Sequence, residues 1–139
     1  MNGVVLADGC FDPMHPGHLE YLRAAAVFGR LCVNVAPDSI IRAKGREPLQ
    51  SATDRALIVC ALRYVDVVHV MPTLEALRLI RPSVYVKGAD WRGRLPEDHI
   101  ALCAELGIDV VYVDTRTRHS SADLLRRWLV KMQESWSRG

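Results

Sequence analysis

The feature that most constrains this chain is an alternation of two hydrophobic periods along its whole length. Short apolar runs occur at Val4–Gly9, Leu31–Ala36, Val65–Met71, Ser83–Gly88 and in IDVVYVD at 108–114. Each is near-continuous in Val, Ile or Leu and is bounded by Gly, Pro or Asp, as expected of strands buried on both faces. Between them lie segments with a helical period. Gly17–Gly29 has a closing glycine, and a second helix starts near Ser51 or Thr53 and runs through RALIVCALRYV. TLEALRLI is read as capped by Thr73 and stopped before Pro82, and LPEDHIALCAELG has Pro96 in its first turn and Gly107 at its end. Ser120 or Ser121 caps a last helix through ADLLRRWLVKM. The stretch PDSIIRAKGREPLQ at 37–50 reads as a long polar loop.

Strand–helix repetition with short links predicts an α/β fold. The expectation is a Rossmann-like, doubly wound, five-stranded parallel sheet with helices on both faces. The 139 residues suit one domain, 1–139, with one core. In such sheets ligands sit beyond the carboxyl ends of the strands, where the strand order reverses. The polar segments fall there: Asp8–His18, Asp38–Arg46, Lys87–Trp91 and Asp114–Ser121. They carry Lys, Arg, His and Ser, which suits an anionic ligand.

Composition excludes several classes. The net charge is only +2, so nothing in the balance of charge calls for a nucleic acid or an anionic membrane. No apolar run approaches the roughly 18–20 residues that span a bilayer, and MNGVVLADG lacks the features of a secretory signal. A cytoplasmic protein is expected. Cys10, Cys32, Cys60 and Cys103 are far apart and form no CxxC, so reduced thiols are expected rather than a disulfide or zinc framework.

The most informative short stretch is DGCFDPMHPGHLEYL, residues 8–22. Gly17 lets a ligand approach the backbone, and the helix that starts there aims its unpaired N–H groups at the same place. His15 and His18, three residues apart, share one face and can donate to one phosphate. That suits a transferring phosphoryl group, whose stabilisation is mostly positioning and charge. Two other readings stay open: a metal pair with Asp12 as third ligand, and a structural pair that caps the helix.

GCFDPMHPGH resembles the GxFDxxHxGH signature of the cytidylyltransferase-like nucleotidyltransferases. KGREP, SATDRALIVCALRYVDVV, VYVKGADW and RHSSADLL are similar to four further segments of that family, in the family's order, over roughly residues 3–130. The resemblance implies a nucleotidyltransferase in which an acceptor phosphate attacks the α-phosphate of a nucleoside triphosphate and pyrophosphate leaves. It implies that His15, His18 and Lys44 are catalytic. Gly9, Cys10, Phe11, Lys87, Gly88, Asp90, Ser120 and Ser121 would bind the nucleotide. Asp38, Arg55, Arg116 and Arg118 would serve the acceptor and phosphates, Asp12 would touch a metal or orient the histidines, and Mg2+ would accompany ATP or CTP. A homodimer is expected from relatives of this size, with no nucleic-acid or membrane partner.

The sequence also departs from the family pattern. His119 stands where many relatives have serine, Ser120 and Ser121 replace threonines, and Asp114 takes the place of an arginine for which Arg116 and Arg118 could substitute. MPTLEALRLIRPSVYVKGAD is similar to the sugar 1-phosphate (heptose 1-phosphate) adenylyltransferases, whereas GADW leans toward the glycerol 3-phosphate cytidylyltransferases. The first is favoured. A nucleotide-binding module without catalysis is the competing class, and the intact set of His15, His18, Lys44, Ser120 and Ser121 speaks against it. Outside the motif context, Lys44 and Arg46 read as solvated charges and Arg55 as a helix contact or surface pair. His69 and His99 read as structural, Trp128 as a core or dimer contact, and LLRRW as a solvated helix face.

Overall fold

The computed structural model describes residues 3–116 and 120–139. Five strands, β1 (Val4–Gly9), β2 (Arg30–Val35), β3 (Val67–Val70), β4 (Val84–Gly88) and β5 (Asp109–Val113), form one parallel sheet in the order β3-β2-β1-β4-β5. The helices are α1 (Pro16–Ala26), α2 (Asp38–Ala43), α3 (Ala52–Cys60), α4 (Thr73–Ile80), α5 (Glu97–Leu106) and α6 (Ser121–Arg138), with a 3-10 turn at Ala89–Trp91. The expected doubly wound α/β architecture is therefore present. Strand order reverses between β1 and β4, so the loops after these two strands flank the crevice.

The sheet is covered on both faces because neighbouring strand residues point opposite ways. Val5, Ala7, Val33, Val35 and Val86 pack with Tyr21, Leu22 and Ala25 of α1 and Val59 of α3. Leu6, Cys32 and Tyr85 pack on the other side with Ala76 and Leu77 of α4 and Leu102 and Cys103 of α5.

Several boundaries differ from the sequence reading. The segment read as a loop at 37–50 contains α2, a six-residue helix with the first-turn acid Asp38. β3 begins at Val67 rather than Val65, because the Asp66 carboxylate turns back to accept from the Leu31 amide at 2.9 Å. α1 ends at Ala26, and Gly29 lies beyond it with φ +150. A Cβ there would stand 2.4 Å from the Gly3 carbonyl oxygen, so glycine is needed for close approach to the start of β1. Thr73 is the first residue of α4 and not its cap, since its hydroxyl is committed elsewhere. Gly107 closes α5 in the left-handed conformation, as expected. Trp128, read as core or dimer contact, is 52 % exposed, and no residue of α6 is buried.

Candidate functional site

The two histidines are placed by the helix they start. His15 is the N-cap of α1, and its Nδ1 accepts from the Gly17 amide at 3.1 Å. His18 returns the favour, its Nδ1 accepting from the His15 amide at 3.2 Å. HPGH thus builds a reciprocal capping box from two imidazoles. An Nδ1 that accepts from a backbone N–H carries no proton, so each neutral ring is protonated on Nε2. The rings lie 3.8 Å apart between centroids, tilted by 32°. Burial, and then the neighbouring His15, push the His18 pKa down to about 3. His18 is therefore a neutral donor at ordinary pH. Phe11, buried with φ +51, sets its ring against His18 in an edge contact at 5.0 Å. The capping and phosphate readings are compatible: Nδ1 caps and Nε2–H is the donor.

The loop between β1 and α1 is clasped from below. Asp12 is fully buried, and its carboxylate accepts from Arg46 and from the Leu49 and Gln50 amides, each at 2.8 Å. Burial raises this carboxyl's pKa, but the hydrogen bonds from Arg46, Leu49 and Gln50 outweigh it and hold the group below the usual range. Its oxygens are spent on the protein, which corrects the reading of Asp12 as a metal ligand. Among the described residues no group of three or more His, Cys, Asp or Glu is placed to hold a metal ion.

Arg55 is likewise fully buried. It donates to the carbonyls of Gln50 (3.0 Å), Cys10 (2.8 Å) and Ala36 (2.8 Å), and to the Asp38 carboxylate at 2.7 Å. It ties the ends of β1 and β2 to the start of α3 and has no face for an acceptor. Neither the surface-pair reading nor the acceptor reading holds, and Asp38 serves as its partner. Lys44 stays exposed, with Nζ 3.3 Å from the Cys10 sulfur.

At the end of β4, Lys87 is buried and Nζ donates to Asp8 at 2.8 Å. The other Asp8 oxygen accepts from the Thr73 and Tyr85 hydroxyls, both at 2.8 Å. Burial works against the Asp8 anion, yet Lys87 and the Thr73 and Tyr85 hydroxyls hold its pKa below the ordinary value. Lys87 Nζ also lies 4.4 Å from the centroid of the Trp91 ring. A Cβ at Gly88 would meet Asp90 Oδ1 at 2.6 Å, so a side chain there would displace the exposed Asp90 carboxylate. Asp8, Thr73 and Tyr85 were missed in the sequence. The available signal was register: Leu6 pairs with Tyr85 and Ala7 with Val86, so the next residues, Asp8 and Lys87, become neighbours.

At α6, Ser120 is the N-cap and accepts from the Asp123 amide at 3.1 Å, while the Ser121 hydroxyl donates to the Pro13 carbonyl at 2.9 Å. This brings the start of α6 against the loop that carries His15. The Arg116 amide donates to Glu20 at 2.6 Å, and its side chain is exposed. Arg118 and His119 lie outside the described residues. A cleft of about 340 Å³ beside α1, lined by Leu19, Glu20, Arg23, Leu62, Arg63 and Tyr64, contains none of the sequence-predicted site residues.

Comparison with known proteins bears on what such a constellation does. A family profile described as "Cytidylyltransferase-like" matches residues 6–133. The chain is 39 % identical over 132 residues to "Bifunctional protein HldE" of Gluconobacter oxydans, covering 88 % of this chain and 27 % of that protein. It is 39 % identical over 126 residues to the protein of the same name from Rhodopseudomonas palustris, covering 86 % and 26 %. The chain thus spans about a quarter of the length of these curated relatives. Among solved structures, a lipopolysaccharide core biosynthesis protein from Thermoplasma volcanium superposes with a TM-score of 0.70 at 27 % identity, covering 84 % of this chain and 98 % of that one.

Proposed function

This chain belongs to the cytidylyltransferase-like family, and we propose that it is a nucleotidyltransferase that transfers AMP from ATP to a sugar 1-phosphate of the heptose 1-phosphate kind. The sequence likeness to sugar 1-phosphate adenylyltransferases supports this choice, as does the likeness to a lipopolysaccharide core biosynthesis protein. The observation that carries the mechanism is the reciprocal capping of His15 and His18, which fixes two Nε2–H donors at a helix start. An oxygen of the acceptor phosphate attacks the α-phosphorus, a new P–O bond forms, the bond to the β-phosphate breaks, and pyrophosphate leaves. No covalent enzyme intermediate is needed. The imidazoles and the amide end of α1 meet the charge that grows on the α-phosphate, and Lys44 bridges phosphates from the loop above. The start of α6 receives the β- and γ-phosphates. A divalent cation such as Mg2+ would be held by the triphosphate and would offset its charge, while Asp12, engaged by Arg46, Leu49 and Gln50, orients the loop that carries the histidines.

The test is a pyrophosphate-release screen of ATP and CTP against sugar 1-phosphates and alcohol phosphates. Turnover with ATP and a heptose 1-phosphate is expected. Turnover only with CTP and glycerol 3-phosphate would move the chain to the second subgroup, toward which GADW leans. His15→Ala or His18→Ala is expected to leave nucleotide binding within a few-fold and to cut turnover by about two to four orders of magnitude. Unchanged pyrophosphate release in both variants would refute the mechanism.

A further inference from the structure

The segment Lys44–Gln50 joins α2 to α3 as a strap that folds back over the loop after β1. Its contacts centre on Asp12, with an exposed Arg42–Glu47 ion pair at 3.1 Å and the Gln50 carbonyl on Arg55 beside them. Arg46 sends one guanidinium nitrogen to the Asp12 carboxylate at 2.8 Å and the other to the Asp12 carbonyl at 2.8 Å. The first nitrogen also reaches the Glu47 carbonyl at 3.1 Å, which curls the strap on itself. Downstream, the Leu49 and Gln50 amides close on the same carboxylate. Upstream, the Lys44 and Gly45 amides hydrogen-bond back into α2, to Ile41 and Arg42. Lys44 therefore sits between two anchors, α2 on one side and the Arg46 fork on the other. Gly45 between them has φ +96, a hinge conformation that a side chain would resist.

The strap and the histidines share one foundation. Cys10, beside Lys44 Nζ, and Asp12, beneath Arg46, both belong to the loop that ends at His15. Arg55 fixes the same foundation from inside, through the Cys10 and Gln50 carbonyls. Lys44 itself has no such enclosure: it is exposed and its ammonium has a single protein neighbour among the contacts described, the Cys10 sulfur. A flexible four-carbon stem gains a defined position only if its backbone is held.

We propose that Arg46 is a positioning residue that acts through Lys44: its two-pronged grip on Asp12 latches the strap so that the Lys44 ammonium is set over the phosphates. This rests on the proposed role of Lys44 and adds to it the residue that makes the role possible. The planar guanidinium suits this grip, because its two nitrogens reach the carboxylate and the carbonyl separately, whereas an ammonium must serve both from one nitrogen.

The test combines exchange and kinetics on the whole protein, with Arg46→Gln, Arg46→Lys, Lys44→Ala and the double variant Lys44→Ala/Arg46→Gln. Amide hydrogen exchange at Leu49 and Gln50 reads the latch directly and needs no substrate. In Arg46→Gln it is expected to quicken by about tenfold or more, with the strands unaffected. Turnover is expected to fall about tenfold in Arg46→Gln, to recover only in part in Arg46→Lys, and to fall less than about twofold further when Arg46→Gln is added to Lys44→Ala. Unchanged exchange in Arg46→Gln overturns the latch. Faster exchange with an equal loss of turnover in both backgrounds also overturns it, because Arg46 then acts independently of Lys44. Full turnover in Lys44→Ala refutes the role of Lys44, and the inference falls with it, while the exchange data still report whether the strap was held.

Discussion

A single imidazole shows how much local bonding decides. His18 is partly buried and accepts a backbone N–H, so protonating it would cost both solvation and a hydrogen bond. With a pKa pushed to about 3, it contributes no ionisation between pH 6 and 8. Turnover is expected to show no inflection from His18 across that range, as a pH profile of kcat will check. The Asp8–Lys87 pair makes the opposite kind of commitment. Removing the cation alone strands a carboxylate in a buried setting, so Lys87→Met is expected to destabilise the fold by about 3–5 kcal/mol. Adding Asp8→Asn should recover much of that loss, as urea unfolding of the three variants will measure. These two residues also show what a sequence displays and what it hides. Lys87 stood out by motif, but its partner did not, because a buried ion pair depends on register between strands 79 positions apart. Arg55 was misread for a similar reason. Nothing near it in sequence reveals that the carbonyls of Cys10 and Ala36 end close enough to consume its donors.

At the scale of elements, the strands were legible and the loops were not. β1 falls where its apolar run and closing glycine put it, Val4–Gly9, because a two-sided environment imprints itself on every residue of the run. α2 was invisible as a helix, since six residues with one buried side chain, Ile41, leave no period to detect. α6 was seen but cut short; it continues to Arg138 with no buried residue to mark its length. What fixes α6 at its start is the Ser121 hydroxyl on the Pro13 carbonyl. Ser121→Ala removes that bond, worth about 1 kcal/mol. The expected result is faster amide exchange confined to the first turns of α6 and a raised KM for the nucleoside triphosphate, with unfolding of the sheet unchanged.

For the whole molecule, these groups set a common direction with pH. His18 is lowered from 6.5 to about 3, so between those values the unfolded chain binds a proton that the folded one does not. Its contribution to stability is complete above about pH 6.5 and declines as pH falls. Asp8 and Asp12 are lowered from 3.8, and their contributions are lost only below that value. Acid should therefore weaken the protein in two stages, the first beginning near pH 6. Urea midpoints measured from pH 7 to 4 should fall steadily in the parent protein and less steeply in His18→Gln. The four cysteines add a practical consequence. Cys32 and Cys103 are enclosed, Cys60 is exposed on α3, and Cys10 lies partly open beneath Lys44. The protein thus carries its own footprinting pair: alkylation at Cys10 counts the fraction of molecules whose crevice is filled, and alkylation at Cys60 on the same molecules supplies the reference.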